Sequence, residues 1–165
     1  MGTLEAFYTD GVRTLHHTVK DVRNMWEKTL RYPGHAEKIK LLRDLGLFEE
    51  PVRELTIKLL ESKLSFPEIK DLVLMNVKVK GRKEDSNILY TYSLLDHYDR
   101  KENITAMART TAYTASILIK LLAKKAIQEK GVVPPEKLGM NDKLFDLIIG
   151  ELRTKGIEIK VGLKK

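Results

Sequence analysis

The sequence contains no cysteine, which removes disulfides, zinc–thiolate sites and thiol nucleophiles together. It has no long apolar run and no secretory h-region. The most hydrophobic helical stretch, TASILIKLLAKKAI, is interrupted by Lys120, Lys124 and Lys125, so no stretch can span a bilayer. Its ten glycines are scattered, each at least six residues from the next. No GxG occurs, let alone GxGxxG, so the strand, glycine loop and helix that cradle a dinucleotide pyrophosphate are missing. Histidines are few. His16 and His17 are adjacent and point in different directions, no HExxH occurs, and Ser-His-Asp chemistry has no GxSxG elbow.

What is present is a chain of 165 residues, 42% hydrophobic and 32% charged, enough for one compact domain with a sizeable core. The net charge of +7 invites a nucleic-acid reading, but lysines and arginines alternate with acids, as in EKIKLLRD and ELTIKLLESK, the pattern of solvated helix faces. The basic stretches at Lys120–Lys130 and Lys164–Lys165 have no interleaved aromatics on which bases would stack. The expectation is a cytoplasmic protein with neither nucleic-acid nor membrane partner. Abundant Lys and Glu with a single glutamine, Gln128, point to a thermophile.

LEAFYT (4–9) alternates as a strand, and Asp10 stands where an N-cap belongs before GVRTLHHTV. MWEKTLRY (25–32) reads as extended, since Tyr32 precedes Pro33. Ile39, Leu42 and Leu45 mark a helix over 36–45 that Gly46 ends. Pro51 opens another, with Val52, Leu55, Leu59 and Leu60 expected to face inward. DLVLMNVKVKG (71–81) and NILYTYSLLDHY (87–98) alternate as paired strands about a polar loop, GRKEDS. Asn103 or Thr105 caps a long helix, ITAMARTTAYTASILIKLLAKKAIQE, which Gly131 and Pro134–Pro135 end. A helix over 141–156, capped by Asn141, and a strand over 157–163 close the chain. The sum is α+β: a single domain, 1–165, with a mixed, mostly antiparallel sheet of about four to six strands covered by helices.

The RYPGH turn (31–35) places a guanidinium, a phenol and an imidazole at a helix entry, equipment for an anionic, hydrogen-bonding ligand. Arg31 can grip a carboxylate with two parallel hydrogen bonds; a surface arginine paired with an acid is the alternative. His35, at the helix N-terminus, is a candidate base, or merely a hydrogen bond within the loop. At the end of the first strand, Tyr8 is a candidate polar contact and Asp10 a base or ammonium partner, though an N-cap explains Asp10 without catalysis. Tyr32 reads equally as contact or core. The turn is expected to gather Arg31 and His35 in one pocket, with Tyr8 or Asp10 opposite and the helix N–H groups aimed at a bound carboxylate.

LEAFYTDGVRTL, EKTLRYPGHAEKIKLLRDLGLF, and ITAMARTTAYTASILI followed by GVVPPEKLG resemble, in that order, the saccharopine dehydrogenase family, and lysine 6-dehydrogenase-like members in particular. The resemblance implies the second domain of such an enzyme, similar in fold to the C-terminal domain of glyceraldehyde-3-phosphate-dehydrogenase-like oxidoreductases. That domain carries the amino-acid substrate site and the dimer contact. It also implies an upstream nucleotide-binding domain, absent from this chain, NAD or NADP in the intact enzyme but none on this chain alone, and a homodimer. The substrate would be lysine or a lysine-derived amine bearing a carboxylate. The Thr29-Leu30-Arg31-Tyr32-x-Gly34 run matches a substrate-site motif, and Arg109 and Thr110 lie on a helix that faces the junction with the nucleotide domain. A buried structural arginine is the other reading of Arg109. The chain alone is expected to be inactive, its start at Met1 an artificial or mis-assigned boundary. The alternatives are a stand-alone interaction or small-acid-binding module and a basic nucleic-acid binder.

Overall fold

A computed structural model describes residues 2–164; the expectations for Met1 and Lys165 lie outside them. The described residues form five strands and six helices in two compact units, one ending at Pro67 and the other starting at Glu68. The α+β class and the antiparallel pairing match the alternating and helical periods of the sequence. The strands lie in two sheets rather than one.

In the first unit β1 (Glu5–Tyr8) pairs antiparallel with β2 (Lys28–Arg31), the register setting Glu5 opposite Arg31 and Tyr8 opposite Lys28. Between them α1 is one turn, Leu15–Thr18. Its N-cap is Thr14, so Asp10 does not cap it; the Asp10 carboxylate instead sits 3.6 Å from Arg13 on the exposed turn. Then come α2 (His35–Asp44) and α3 (Arg53–Leu64). Gly46, at φ 73°, ends α2 with its N–H on the Arg43 carbonyl, and the Leu47 N–H reaches Leu42. The expected inward stripe of α3 is a correction. Val52, Leu55 and Leu59 are exposed and Thr56 is the buried residue, because periodicity says which side chains share a face, not that a layer covers it.

The second unit holds β3 (Leu72–Lys83), β4 (Ser86–His97) and β5 (Lys160–Lys164) in the order β3-β4-β5, all antiparallel. The polar loop expected at GRKEDS is absorbed into the strands. Pairing continues to Lys83 and Ser86, and the chain reverses on Glu84 and Asp85, both at positive φ as the tightest hairpin turn requires. Helix α4 (Ala106–Ala123) starts on Thr105, whose hydroxyl accepts the Ala108 N–H, and on Asp71, whose carboxylate accepts the N–H groups of Ala106 and Met107. It stops earlier than its apolar period suggests. Lys125 turns left-handed and Ala126 donates to the Leu121 carbonyl, which swings Ile127 into the core. Pro134 and Pro135 open a short α5 (Pro135–Gly139), and α6 (Asp142–Thr154) is capped by the Asn141 side chain.

The core of this unit gathers Leu94 from β4, Ile117 and Leu121 from α4, Leu138, Leu144, Leu152, Ile127 and Ile157. Ile117, 2% exposed, sits at its centre. Ile117→Ala is expected to cost about 2–5 kcal/mol by urea unfolding, and Ile117→Val about 1, since the first opens a cavity where the second removes one methyl. Equal small costs for both would show that the site collapses freely.

Candidate functional site

The β1–β2 ribbon sorts the candidate residues by face. Successive side chains on a strand point to opposite sides and directly paired residues share a side. Glu5, Phe7, Thr29 and Arg31 therefore stand on one face, Ala6, Tyr8, Lys28 and Leu30 on the other. The contacts agree. On the first face the Phe7 ring stacks parallel to His35 at 6.0 Å between centroids. On the second, Tyr8 meets Trp26 edge-on, with the Lys28 ammonium 4.6 Å from the Tyr8 ring centre. Tyr8 thus stands on the opposite face of the ribbon from Arg31, and one pocket walled by both is corrected by the period of the strand. Tyr32 is 69% exposed and is no core residue.

The helix entry is also differently used. Gly34, at φ 87°, is the N-cap of α2, a left-handed conformation that suits glycine. Its N–H donates to Glu5 Oε2 at 2.9 Å, and the Ala36 N–H donates to Glu5 Oε1 at 2.6 Å. The chain's own carboxylate occupies the position where a substrate carboxylate was expected. These bonds, that from Ala36 foremost and helped by the positive charge of His35, hold the Glu5 carboxyl below its ordinary range.

A glutamate whose folded value is depressed stabilises fully above its unfolded value and loses that contribution as pH falls through the folded one. The first turn of α2 is therefore expected to open as pH falls below the ordinary carboxylate range, seen as loss of amide protection at Gly34 and Ala36. Glu5→Gln should flatten that dependence. A profile identical in the variant would remove Glu5 as its cause.

Arg31 remains accessible. One of its N–H groups donates to the neighbouring Leu30 carbonyl at 2.9 Å, and among the described residues no carboxylate forms an ion pair with its guanidinium. At the other end of the same face Glu27 is bound in a polar cluster. Its carboxylate accepts from the Thr9 and Thr29 hydroxyls and, at 3.3 Å, from the Gly11 N–H, while Thr9 and Thr29 share a 2.9 Å bond. A Cβ at Gly11 would lie 2.7 Å from the Glu27 carboxyl carbon, so the glycine makes room for it. One ribbon face thus carries Arg31 at one end, with Glu5 opposite it engaged by the helix N–H groups, and the Glu27 carboxylate at the other, with His35 beside Phe7. Neither Glu5 nor Glu27 stood out by residue type. Their odd spacing with Arg31 was the available signal.

Arg109 and Thr110 belong to the second unit. Arg109 is buried and donates through Nε to Asp96 (3.0 Å), through Nη1 to Asp99 (2.8 Å), and through Nη2 to the carbonyls of Lys155 (3.2 Å) and Gly156 (3.3 Å). Each guanidinium nitrogen is engaged inside the unit, which ties α4 to β4 and to the turn before β5. The Thr110 hydroxyl bonds back to the Ala106 carbonyl of its own helix at 2.9 Å. Asp99 is held below its ordinary value by the Glu102 N–H first, then by the Lys101 N–H and the charge of Arg109.

Among the described residues, the glycines are not laid out as a dinucleotide cradle. The strand–glycine–helix junction at β2, Gly34 and α2 has its N–H groups on Glu5. The other left-handed glycines, Gly46, Gly131 and Gly156, stand singly and far from a second glycine that could admit a pyrophosphate. Compared with known protein families, residues 1–157 match the sequence model of the saccharopine dehydrogenase C-terminal domain.

Proposed function

The chain belongs to the saccharopine dehydrogenase C-terminal domain family, and from that membership we propose that it is the substrate-binding and dimerisation part of a cytoplasmic, NAD(P)-dependent oxidoreductase. The substrate is lysine or a lysine-derived amine, and the reaction is at its C–N bond. The nicotinamide is carried by a separate dinucleotide-binding domain of the intact protein. The observation that carries the reading is the bipolar ribbon face. Arg31 offers a guanidinium fork to a carboxylate, and Glu27, four residues away and so roughly 13 Å along an extended strand, offers a carboxylate to an ammonium or secondary amine. A zwitterion with its charges at opposite ends is the class of ligand such a face would take. His35, exposed and stacked on Phe7 at the same face, is the candidate for taking up the amine proton. Asp10, paired with Arg13, is the weaker one.

Nuclear magnetic resonance tests this directly. Saccharopine or L-lysine at millimolar concentration is expected to shift the amides of residues 27–36. Cadaverine, which lacks the carboxylate, should not shift those at the Arg31 end, residues 31–36. Arg31→Lys should weaken the effect about tenfold, because an ammonium cannot reproduce the fork. Shifts confined to other residues, or equal shifts with cadaverine, would end the carboxylate assignment. NAD or NADP added to the chain should give no saturable change.

Dimerisation is proposed at the distal half of the β3–β4–β5 sheet. Val77, Val79, Tyr90, Tyr92, Val161 and Leu163 lie on the same face as the core residues Met75 and Leu94, by strand register. Val79, Val161 and Leu163 are more than half exposed, and Tyr90 and Tyr92 stack at 6.4 Å. An apolar sheet face continuous with a core but left open is a surface for a second copy.

A further inference from the structure

The opposite face of that sheet has another character. Strand register aligns Asn76, Ser93 and Lys160 in one row, Lys78, Thr91 and Gly162 in the next, then Lys80, Leu89 and Lys164, and last Arg82 with Asn87. Five cations and no acid stand on these rows, and all five are exposed. Among the described residues Lys78, Lys80, Lys160 and Lys164 form no ion pair, and Arg82 reaches only Asp85 of the hairpin turn, at 3.4 Å. A shallow groove of about 280 Å³ runs between Lys80 and Lys164 over Leu89.

We infer that this basic face docks an acidic polypeptide segment in extended conformation. Lys78, Lys80 and Arg82 alternate along β3, so their spacing is about 6.7 Å, twice the rise of a strand. Carboxylates at alternate positions of an extended acidic segment repeat at the same interval, and its charge relieves the mutual repulsion of the lysines. Thr91, Ser93, Asn76 and Asn87, whose side chains bond to no other described residue, supply hydrogen bonds between the charges.

A second copy of the chain does not suit the face, since a two-fold axis would set these cations against themselves. Bases of a nucleic acid find no platform, because Tyr90 and Tyr92 point to the other side of the sheet.

The test is fluorescence anisotropy of the full chain with a labelled peptide of alternating glutamate and threonine, a matching glutamine–threonine peptide and a short single-stranded oligodeoxynucleotide. The glutamate peptide is expected to bind saturably and to weaken as salt rises, while the glutamine peptide does not bind. Combining Lys78→Gln, Lys80→Gln and Lys164→Gln should weaken it about tenfold, the sum of several exposed pairs. Combining Lys124→Gln, Lys125→Gln and Lys130→Gln, which removes the same charge elsewhere, should change it less than twofold. Equal losses in the two triple variants would show unspecific charge attraction and overturn the inference. So would absence of binding, equal binding of the glutamine peptide, or tighter binding of the oligonucleotide through the same lysines.

Discussion

Arg109→Met is expected to lower the thermal midpoint of the second unit by roughly 15 °C or more. The guanidinium and the Asp96 carboxylate are 9% and 11% exposed, and the arginine also satisfies Asp99 and two carbonyls. Removing one partner of a buried pair leaves the other charge in a poor solvent, a cost of about 3–5 kcal/mol. For a unit of this size each kcal/mol moves the midpoint by about 4–8 °C. Arg109→Lys should recover little, since a single ammonium cannot address four acceptors on three elements. Combining Arg109→Met with Asp96→Leu should restore much of the loss, because it removes the stranded charge as well. Calorimetry of the chain and the three variants decides this. A midpoint change of only a degree or two in Arg109→Met would mean that water reaches Asp96. The same network explains Gly156, where a Cβ would stand 3.3 Å from the arginine Nη2 in a left-handed backbone, so Gly156→Ala should be destabilising too.

The second large effect concerns assembly. Combining Val79→Glu with Leu163→Glu is expected to convert a dimer at tens of micromolar into a monomer, a loss of affinity of about a hundredfold or more. The two residues flank Tyr90 in one row of the register and are both exposed, so the fold of the subunit tolerates the charges. In an isologous contact each substitution is present twice, and four carboxylates would be buried against apolar partners. Light scattering reads the outcome. A wild-type monomer at that concentration, or a dimer unaffected by the two glutamates, would remove the apolar face from the interface. Combining Lys78→Gln with Lys80→Gln, on the reverse of the sheet, is the matched control and should leave the assembly unchanged.

Much of the fold was legible because local rules agreed with one another. Alternation in LEAFYT and VLMNVKVK, capping by Thr105 and Asn141, and the stops at Gly46 and Gly156 are backbone chemistry that acts within a few residues, and each appears where that chemistry puts it. Two differences are local, the α1 cap at Thr14 instead of Asp10 and the tight turn at Glu84 and Asp85 inside GRKEDS; the others depend on what lies across space. The α3 stripe was correct as a pattern and wrong as a core, and α4 stops short because Ile127 is better buried than carried onward in the helix.

The candidate site divides in the same way. The residue types of RYPGH point to an anion, and the order of the motifs points to the family, from sequence alone. Which groups are free to act was decided only by tertiary structure. Glu5 reaches across the ribbon to occupy the helix N–H groups, the pleat of the strands puts Tyr8 on the far side from Arg31, and three elements converge to bury Arg109 in a network of its own. A sequence lists donors and acceptors. Their satisfaction is a long-range matter, because a carboxylate finds its N–H partner wherever the fold brings one within hydrogen-bond reach.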